Sequence, residues 1–336
     1  MTATMSTPTV DDLPGIIDAV SSWQREGAPM QVHPGDLGWY ERFGTEALAR
    51  VLRVWTWGRV QSRDQARSRS EQIAAVGFLD ETELIRMAMD PELFDDDELA
   101  SDIADDLVSR LDDLLPAGAG IVEARFGGAL ARVLAQRGWS DDEPWTPLHR
   151  DLARPVPPGA LVIRVVGWEL VEDCIRVEAS AFPGASLSTE RWHQMARGHA
   201  YRHGRCLVGY DERGSAVAAT TIWSAGTRRP GIIEPLGVHQ DHRGRGHGRA
   251  ITLAAAEALR GMGASSAMVA TPSSNVAAVA AYLSAGFESL GEATDLRRPA
   301  STIMPSEPHA TPGNAAPPTH VAPGRAPQAA HITPRE

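Results

Sequence analysis

The sequence predicts an α/β (α+β) fold in which a mixed, twisted sheet is flanked by helices, and it predicts that this arrangement occurs twice. Apolar runs typical of buried strands alternate with alanine- and leucine-rich helical segments between residues 160 and 298. A turn rich in glycine and arginine joins one of these strands to the helix after it. A fainter copy of the same order, without that turn, occupies the first 150 residues.

The elements of the second half are predicted one after another from the pattern of apolar residues. Strands are expected at 161–166, 206–211, 216–223, 232–238 and 266–271, with a final pair near 287–297. Helices are expected at 171–182, 188–199, 246–260 and 275–285. The prolines at 154–159 indicate a linker, because proline continues neither a helix nor a central strand. The predicted divisions are therefore 1–153, 154–159, 160–298 and a disordered tail at 299–336.

A phosphate-binding turn is predicted between the strand at 232–238 and the helix at 246–260. The first backbone N–H groups of a helix lack intrahelical partners and carry the positive end of its dipole, so they can donate to phosphate oxygens. Glycines allow the backbone to approach a ligand closely, and arginines add charged donors. The predicted phosphate ligands are Arg243, Gly244, Arg245, Gly246, His247, Gly248 and Arg249.

The spacing of this turn separates it from two common nucleotide motifs. A dinucleotide fingerprint requires Gly-x-Gly-x-x-Gly, whereas here the glycines follow Gly-x-Gly-x-Gly, and a P-loop requires a lysine, which the chain lacks. The turn instead resembles the acyl-CoA motif of the GNAT acetyltransferase superfamily, Arg-x-x-Gly-x-Gly/Ala. The matching residues are Arg243, Gly246 and Gly248, with Val238 as the apolar strand residue five positions before the arginine.

A second segment is similar to another GNAT pattern, Asn-x-x-Ala-x-x-x-Tyr-x-x-x-Gly-Phe. Its matching residues are Asn275, Ala278, Tyr282, Gly286 and Phe287. The resemblance covers about residues 160–298 and implies that acetyl-CoA binds there. It implies that Tyr282 is the general acid that protonates the departing thiolate, and that Asn275 contacts the pantetheine arm. Asn275 alternatively serves only as the cap of the following helix.

The first half resembles a degenerate GNAT unit. Residues 84–90, 120–125 and 129–139 parallel the strand before the turn, the next strand and the helix that carries Tyr282. The acidic segment 94–99 stands in place of the glycine turn, and Leu134 stands in place of Tyr282. Tandem GNAT proteins such as mycothiol synthase are similar in organisation, which implies one acyl-CoA site per chain. The alternative is an unrelated α/β domain.

Glu234 is the predicted general base for the acceptor amine. A carboxylate within an apolar strand is costly unless it is paired or functional, and burial raises its pKa toward the useful range. The alternative base is His239, at the end of the same strand. Pro235 predicts a bulge in this strand. The resemblance to GNAT proteins implies that such a distortion frees the N–H group of Gly237 or Val238 to polarise the thioester carbonyl.

The net charge and the composition limit the classes of molecule that the protein is expected to bind. A net charge of −11 argues against nucleic acid and favours a cationic substrate, although the acidic stretch at 90–113 is equally typical of a solvated helix face. The sequence shows no metal-ligand spacing and no serine-hydrolase elbow. Without a signal peptide or a long apolar run, we expect a cytoplasmic protein that does not contact membranes. Cys174 and Cys206 are predicted to be buried free thiols.

The predicted function is acetyl-CoA-dependent N-acetylation of a small-molecule or peptide amine by the second half of the chain. The alternative is a non-catalytic acyl-CoA-binding or regulatory protein, which would need the phosphate turn but neither Tyr282 nor Glu234. The sequence leaves the acceptor, the acyl chain and the oligomeric state open, because substrate-facing loops carry no general code.

Overall fold

A computed structural model describes residues 2–58, 71–109, 114–116, 118, 120–184 and 187–298. In these ranges one large mixed sheet is flanked by helices, so the predicted fold class is confirmed. The predicted disordered tail, 299–336, lies outside the described residues.

The described elements of the first half run from β1 to β6. They are β1 Thr4–Ser6, α1 Leu13–Trp23, α2 Pro34–Tyr40, α3 Thr45–Val51, β2 Leu52–Gly58, β3 Glu71–Glu81, β4 Leu84–Met89, α4 Asp97–Ser109, β5 Gly120–Glu123, α5 Gly128–Gln136 and β6 Ser140–Asp151.

The second half follows the same order, with two α-helices instead of three between its first two strands and two strands instead of one at its end. Its elements are β7 Val162–Val165, α6 Val171–Ala181, α7 Thr189–Arg197, β8 Gly204–Tyr210, β9 Ala216–Ser224, β10 Gly231–Val238, α8 His247–Gly261, β11 Ser266–Pro272, α9 Val276–Ser284, β12 Glu288–Ser289 and β13 Ala293–Arg298. Every element predicted for this half is present, with its ends within two residues of the prediction.

Local hydrogen bonds match between the halves as well. Helices α5 and α9 each have 9 residues, and Leu134 and Tyr282 each occupy the seventh position. The N–H of Trp139 donates to the carbonyl of Leu134 at 3.1 Å, and the N–H of Phe287 donates to the carbonyl of Tyr282 at 3.1 Å. The tandem arrangement inferred from weak sequence similarity is therefore present in the fold.

The two halves exchange strands. The sheet order is β1-β2-β3-β4-β5-β13-β6-β11-β10-β9-β8-β7, so β13 from the end of the second half pairs with β5, and β6 from the first half pairs with β11. Strands β12 and β13 both pair with β6 rather than with each other. The sheet is thus continuous across residues 154–159, which contain no helix or strand; the predicted domain bounds there stay a prediction.

The apolar core follows this exchange. Leu296 of β13 is buried among first-half side chains that include Leu130 and Val122, and Leu148 of β6 is buried among second-half side chains that include Ala267 and Tyr282. A third cluster joins α1 and α2 to α6, α7 and β9. Each half therefore depends on the other for part of its core. Cys174 and Cys206 are both buried and free, as predicted.

Among the described residues, no helix is both long and apolar enough to cross a membrane.

Candidate active site

The glycine turn lies between β10 and α8. Gly244 and Gly246 adopt left-handed backbone angles, with φ of 74° and 80°, which glycine adopts at little cost. Gly246 is the N-cap of α8, so no capping side chain occupies the first N–H groups of the helix, and no acidic residue lies in its first turn. These N–H groups could therefore donate to an anion; that they bind phosphate stays a prediction.

Two arginines of the turn are engaged by backbone carbonyls. The guanidinium of Arg243 donates to the carbonyl of Ala181 at 2.9 Å and to that of Val238 at 3.5 Å. Arg249 donates to the carbonyl of Ser284 at 2.8 Å. Both arginines therefore brace the turn against α6 and α9, a role that the sequence did not reveal. Arg245 is exposed and forms no hydrogen bond or ion pair with any described residue.

Three histidines surround the same turn. The rings of His239 and His242 lie 5.5 Å apart, and those of His242 and His247 lie 6.3 Å apart. Nδ1 of His239 accepts a hydrogen bond from the N–H of Asp241 at 3.4 Å, so this ring caps a short 3-10 helix. Burial lowers the pKa of His247, and the charges of His242 and Arg245 lower it further. No group of side chains in the described ranges is arranged to hold a metal ion.

A gap opens between β10 and β11 beside the turn. These parallel strands pair only at Gly231 with Ala267 and at Ile232 with Met268. Beyond these pairs β10 keeps its ladder with β9 but leaves its other edge unpaired by β11, and the ladder with β9 shifts register between Ile233 and Leu236. The predicted bulge at Pro235 is therefore confirmed. Backbone groups on this free edge, up to Val238, can bond a ligand inserted between the strands.

Glu234 lies in the bulge of β10. Its side chain is partly buried and forms no hydrogen bond or ion pair with a described residue. Burial raises the pKa of its carboxyl to about 8; Asp36 reinforces this rise, whereas Arg86 opposes it. Trp223 fixes the backbone here, because its indole N–H donates to the carbonyl of Glu234 at 2.9 Å.

Tyr282 is buried on α9, and its hydroxyl has no hydrogen-bond partner among the described residues. Burial raises the pKa of the phenol, and the charge of Glu234 raises it further, so the two groups are close enough to interact. A buried hydroxyl without a partner is unusual and points to a ligand atom that would complete its bonding. Tyr282 also belongs to the same buried cluster as Ile233 and Leu236, which flank Glu234 in β10, so the two residues predicted to be catalytic lie near one another.

Asn275 begins the helix that carries Tyr282. Its Oδ1 accepts a hydrogen bond from the N–H of Ala278 at 3.2 Å, which is the predicted cap. Its Nδ2 is buried and has no partner among the described residues. The cap therefore leaves the two N–H donors of the amide free of described partners, and the contact of Asn275 with pantetheine stays a prediction.

The sequence interpretation missed a group of charged side chains that the first half places near Glu234. Arg86 of β4 contacts Asp36 at 3.0 Å, Glu123 at 2.9 Å and Asp80 at 3.4 Å, and the side chains of all four are less than 10% exposed. The signal was present: Arg86 stands within the apolar strand β4 as Glu234 stands within β10. The free-energy cost of burying a charged side chain marks Arg86 as a paired or functional residue just as it marks Glu234.

Comparison with known proteins agrees with this geometry. Residues 171–287 match the acetyltransferase (GNAT) family profile. A GNAT-family acetyltransferase from Colwellia psychrerythraea is 16% identical with a TM-score of 0.54, over 88% of this chain and 99% of that one. A tandem GNAT protein from the clavulanic acid biosynthesis pathway is 15% identical with a TM-score of 0.52, over 91% and 100%. No curated protein matches the sequence significantly.

The chain therefore carries a domain of the GNAT acetyltransferase family, in a fold similar to that of a tandem GNAT protein. The family match supports acyl transfer as the general class of activity. The more specific similarity to mycothiol synthase stays a prediction.

Proposed function

We propose that the protein is an acetyl-CoA-dependent N-acetyltransferase with one catalytic site, in the second half of the chain. The observation that carries the proposal is the buried, unpartnered hydroxyl of Tyr282, whose side chain belongs to the same apolar cluster as Ile233 and Leu236 of β10, the strand whose bulge contains Glu234 and whose edge is open. The glycine turn at the start of α8 would bind the pyrophosphate of the cofactor. The amide of Asn275 would bind its pantetheine arm.

The proposed reaction needs one proton acceptor and one proton donor. Glu234 would take a proton from the acceptor ammonium, and a pKa of about 8 makes its carboxylate an effective base near neutral pH. The free amine would then attack the thioester carbonyl, and the bond from carbon to sulfur would break. Tyr282 would give its proton to the departing thiolate, and the remaining excess proton on the acylated nitrogen would return to the Tyr282 phenolate, so that the products are the amide and the free thiol of CoA.

The interaction between these two groups favours that order. While Glu234 is ionised, its charge disfavours loss of the Tyr282 proton. Once Glu234 has accepted a proton, that repulsion is gone and Tyr282 becomes a better donor. Deprotonation of the amine would therefore prepare the protonation of the leaving group.

Isothermal titration with acetyl-CoA tests the proposal when wild type is compared with Gly248→Val. A Cβ atom at Gly248 would have only one neighbour within 4 Å, Cγ2 of Val238 at 3.8 Å, so the fold should tolerate the change. The side chain would nevertheless stand where the cofactor approaches the backbone. We expect one site in wild type and at least about tenfold weaker binding in the variant, which is the effect of losing 1.4 kcal/mol or more.

Gly261→Val is the matched control, because Gly261 lies at the far end of α8 and an added Cβ would have no neighbour within 4 Å. Equal weakening by both substitutions would point to an effect on the helix and contradict the cofactor site. Two sites per chain would contradict the assignment of a single site. Binding without turnover of any amine would instead favour the acyl-CoA-binding alternative.

A further inference from the structure

Arg86 lies at the place in β4 that corresponds to the bulge of β10, which contains Glu234. Strands β4 and β10 end at Met89 and Val238, and the side chain of the next residue caps a short 3-10 helix in both cases. Arg86 lies three residues before the end of β4. The same step back from the end of β10 reaches the bulge that contains Glu234 and Pro235.

The fold brings these two distant positions together. In the order β4-β5-β13-β6-β11-β10, five strand steps separate them, or about 24 Å along a flat sheet. Contacts through helix α2 nevertheless connect them: Asp36 lies 3.0 Å from Arg86, and its helix packs against Trp223, whose indole N–H donates to the carbonyl of Glu234. The sheet therefore curves enough to turn the two strands toward a common interior, and the charges of Arg86 and Glu234 act on one another there. The first half therefore reaches the site that carries Tyr282 and Glu234.

Helix α2 fixes the nearest negative charge. Oδ2 of Asp36 accepts a hydrogen bond from the N–H of His33 at 2.7 Å, and Oδ1 lies 3.0 Å from the guanidinium of Arg86. Gly35 and Gly38 in this helix lie directly against the side chain of Trp223, leaving no room for a Cβ atom. Because the same indole donates to the carbonyl of Glu234, Asp36 is held in a defined place relative to that carboxylate.

The groups whose charges act on Glu234 come almost entirely from the first half. Asp36, Asp80 and Glu123 disfavour its ionised form, and Arg86 favours it. Strands β9 and β11 contain no ionisable side chain, and α9 contributes Tyr282. Helix α6 contributes Glu178, whose charge acts on Arg42 and Cys206 instead.

We propose that Arg86 and Asp36, from the half without the glycine turn, are positioning residues for the proposed base: their opposite charges set how readily Glu234 binds a proton. This inference rests on the proposed function for its consequence in catalysis. The half that lacks its own glycine turn would thereby remain part of the active site. The proposal predicts opposite effects from removing the two charges, which a merely structural role would not produce.

The test is a carboxyl titration by NMR in the full-length protein labelled with ¹³C-glutamate. The resonance of Glu234 is identified as the one missing in Glu234→Gln, and its shift is followed across the pH range. We expect Arg86→Met to raise the titration midpoint and Asp36→Asn to lower it, each by about one pH unit. Asparagine keeps an oxygen that can accept from the N–H of His33, so the cap of α2 should persist.

Arg132→Met and Asp97→Asn are the matched controls, because these residues form an exposed ion pair of similar chemistry at 2.7 Å. Neither should move the midpoint. If Arg86→Met does not fold, Arg86→Lys is measured in its place, together with Asp36→Asn. Because lysine keeps the positive charge, the midpoint of Glu234 in this variant should stay near that of wild type. Shifts in the same direction, or shifts no larger than those of the controls, would overturn the proposal.

A pH–rate profile separates this inference from the proposed function. Loss of activity at low pH should follow the NMR midpoint of Glu234 in wild type and move with it in both variants. If the midpoints move in opposite directions but the rate profile does not follow them, the electrostatic inference holds and Glu234 is not the base. If the midpoints do not move, the inference fails whatever the rate profile shows.

Discussion

Helices α1 and α6, each 11 residues long, place Val20 and Glu178 at the same eighth position, and both side chains are fully enclosed. Helices α5 and α9 likewise place Leu134 and Tyr282 at matching positions, the seventh of each helix. In both pairs the first half has an apolar residue that fills its core, and the second half has an ionisable residue. Oε1 of Glu178 and the hydroxyl of Tyr282 have no hydrogen-bond partner among the described residues. The same fold thus accommodates an apolar side chain in one half and an ionisable side chain in the other. The buried ionisable side chains mark the positions at which the second half is less stable than it would be with apolar residues.

The helix N-termini after β4 and β10 differ in the same sense. Helix α4 begins with Asp97 and Glu98, which suit the positive end of a helix but repel phosphate. Helix α8 begins after Gly246 with no acid in its first turn. The first half is therefore arranged as a stable helix start, and the second has the uncapped, acid-free N-terminus that the proposed pyrophosphate site requires. This contrast can be tested position by position.

The largest effect is expected from Tyr282→Phe, which gives α9 an apolar residue as α5 has at Leu134. If Tyr282 is the general acid, turnover should fall by about 10²–10⁴ while acetyl-CoA affinity is kept. Stability should not fall, because the hydroxyl has no partner to lose. Steady-state rates, titration calorimetry and thermal unfolding measure the three quantities.

Tyr210→Phe is the control for Tyr282→Phe, since the Tyr210 hydroxyl donates to Asp173 at 2.5 Å and lies on β8. It should leave turnover near wild type. A loss of less than about tenfold in Tyr282→Phe would remove the general-acid assignment, because such groups rarely contribute so little.

The next effect tests the exchanged strands. Leu296 lies late in the chain, but Leu296→Ala should destabilise the packing of the first half. Leu148 lies early in the chain, but Leu148→Ala should destabilise the packing of the second half. Both side chains are buried, so each truncation should cost about 2–5 kcal/mol of unfolding free energy. Amide hydrogen exchange, read by mass spectrometry, should show faster exchange in β4, β5 and α5 for the first variant, and in α8, α9 and β11 for the second.

Leu130→Ala is the reference for Leu296→Ala, because both side chains belong to the same buried cluster. The two variants should give similar exchange maps. Faster exchange confined to the half that contains the substituted residue in sequence would contradict the exchange of strands.

This crossing of strands is what the sequence could not predict. The elements of the second half followed from local features, because the glycine turn and the apolar runs fix where strands and helices begin. Pairing of β13 with β5 depends instead on which edge is free once both halves have folded. Glu234 was found because it interrupts an apolar run, and Arg86 was recognisable by the same sign. Its meaning appeared only when the fold brought the two strands together.

A smaller effect is expected from Glu178→Gln, measured as a function of pH. Burial raises the pKa of Glu178 to about 8, so the folded protein retains a proton that the unfolded chain releases near the ordinary pKa of 4.5. Wild type should lose stability on the order of 1 kcal/mol per pH unit between these values, because the unfolded state there binds fewer protons. Glutamine has no such proton to lose.

The variant should therefore gain on wild type as the pH rises from about 4.5 to about 8, where the folded carboxyl ionises. Denaturant unfolding at several pH values measures the difference. A constant difference across that range would show that Glu178 is ionised in the folded protein. Exposed Glu92→Gln, in a surface pair with Arg25, should show no such trend.

The smallest effect is expected at the acidic start of α4. Replacing Asp97 with asparagine and Glu98 with glutamine removes the repulsion of phosphate, yet the segment before α4 still lacks the glycines that let the backbone approach a ligand. Titration of this double variant with acetyl-CoA should still give one site per chain. A second binding event would show that charge alone separates the two halves, and that the glycine turn is not the decisive difference.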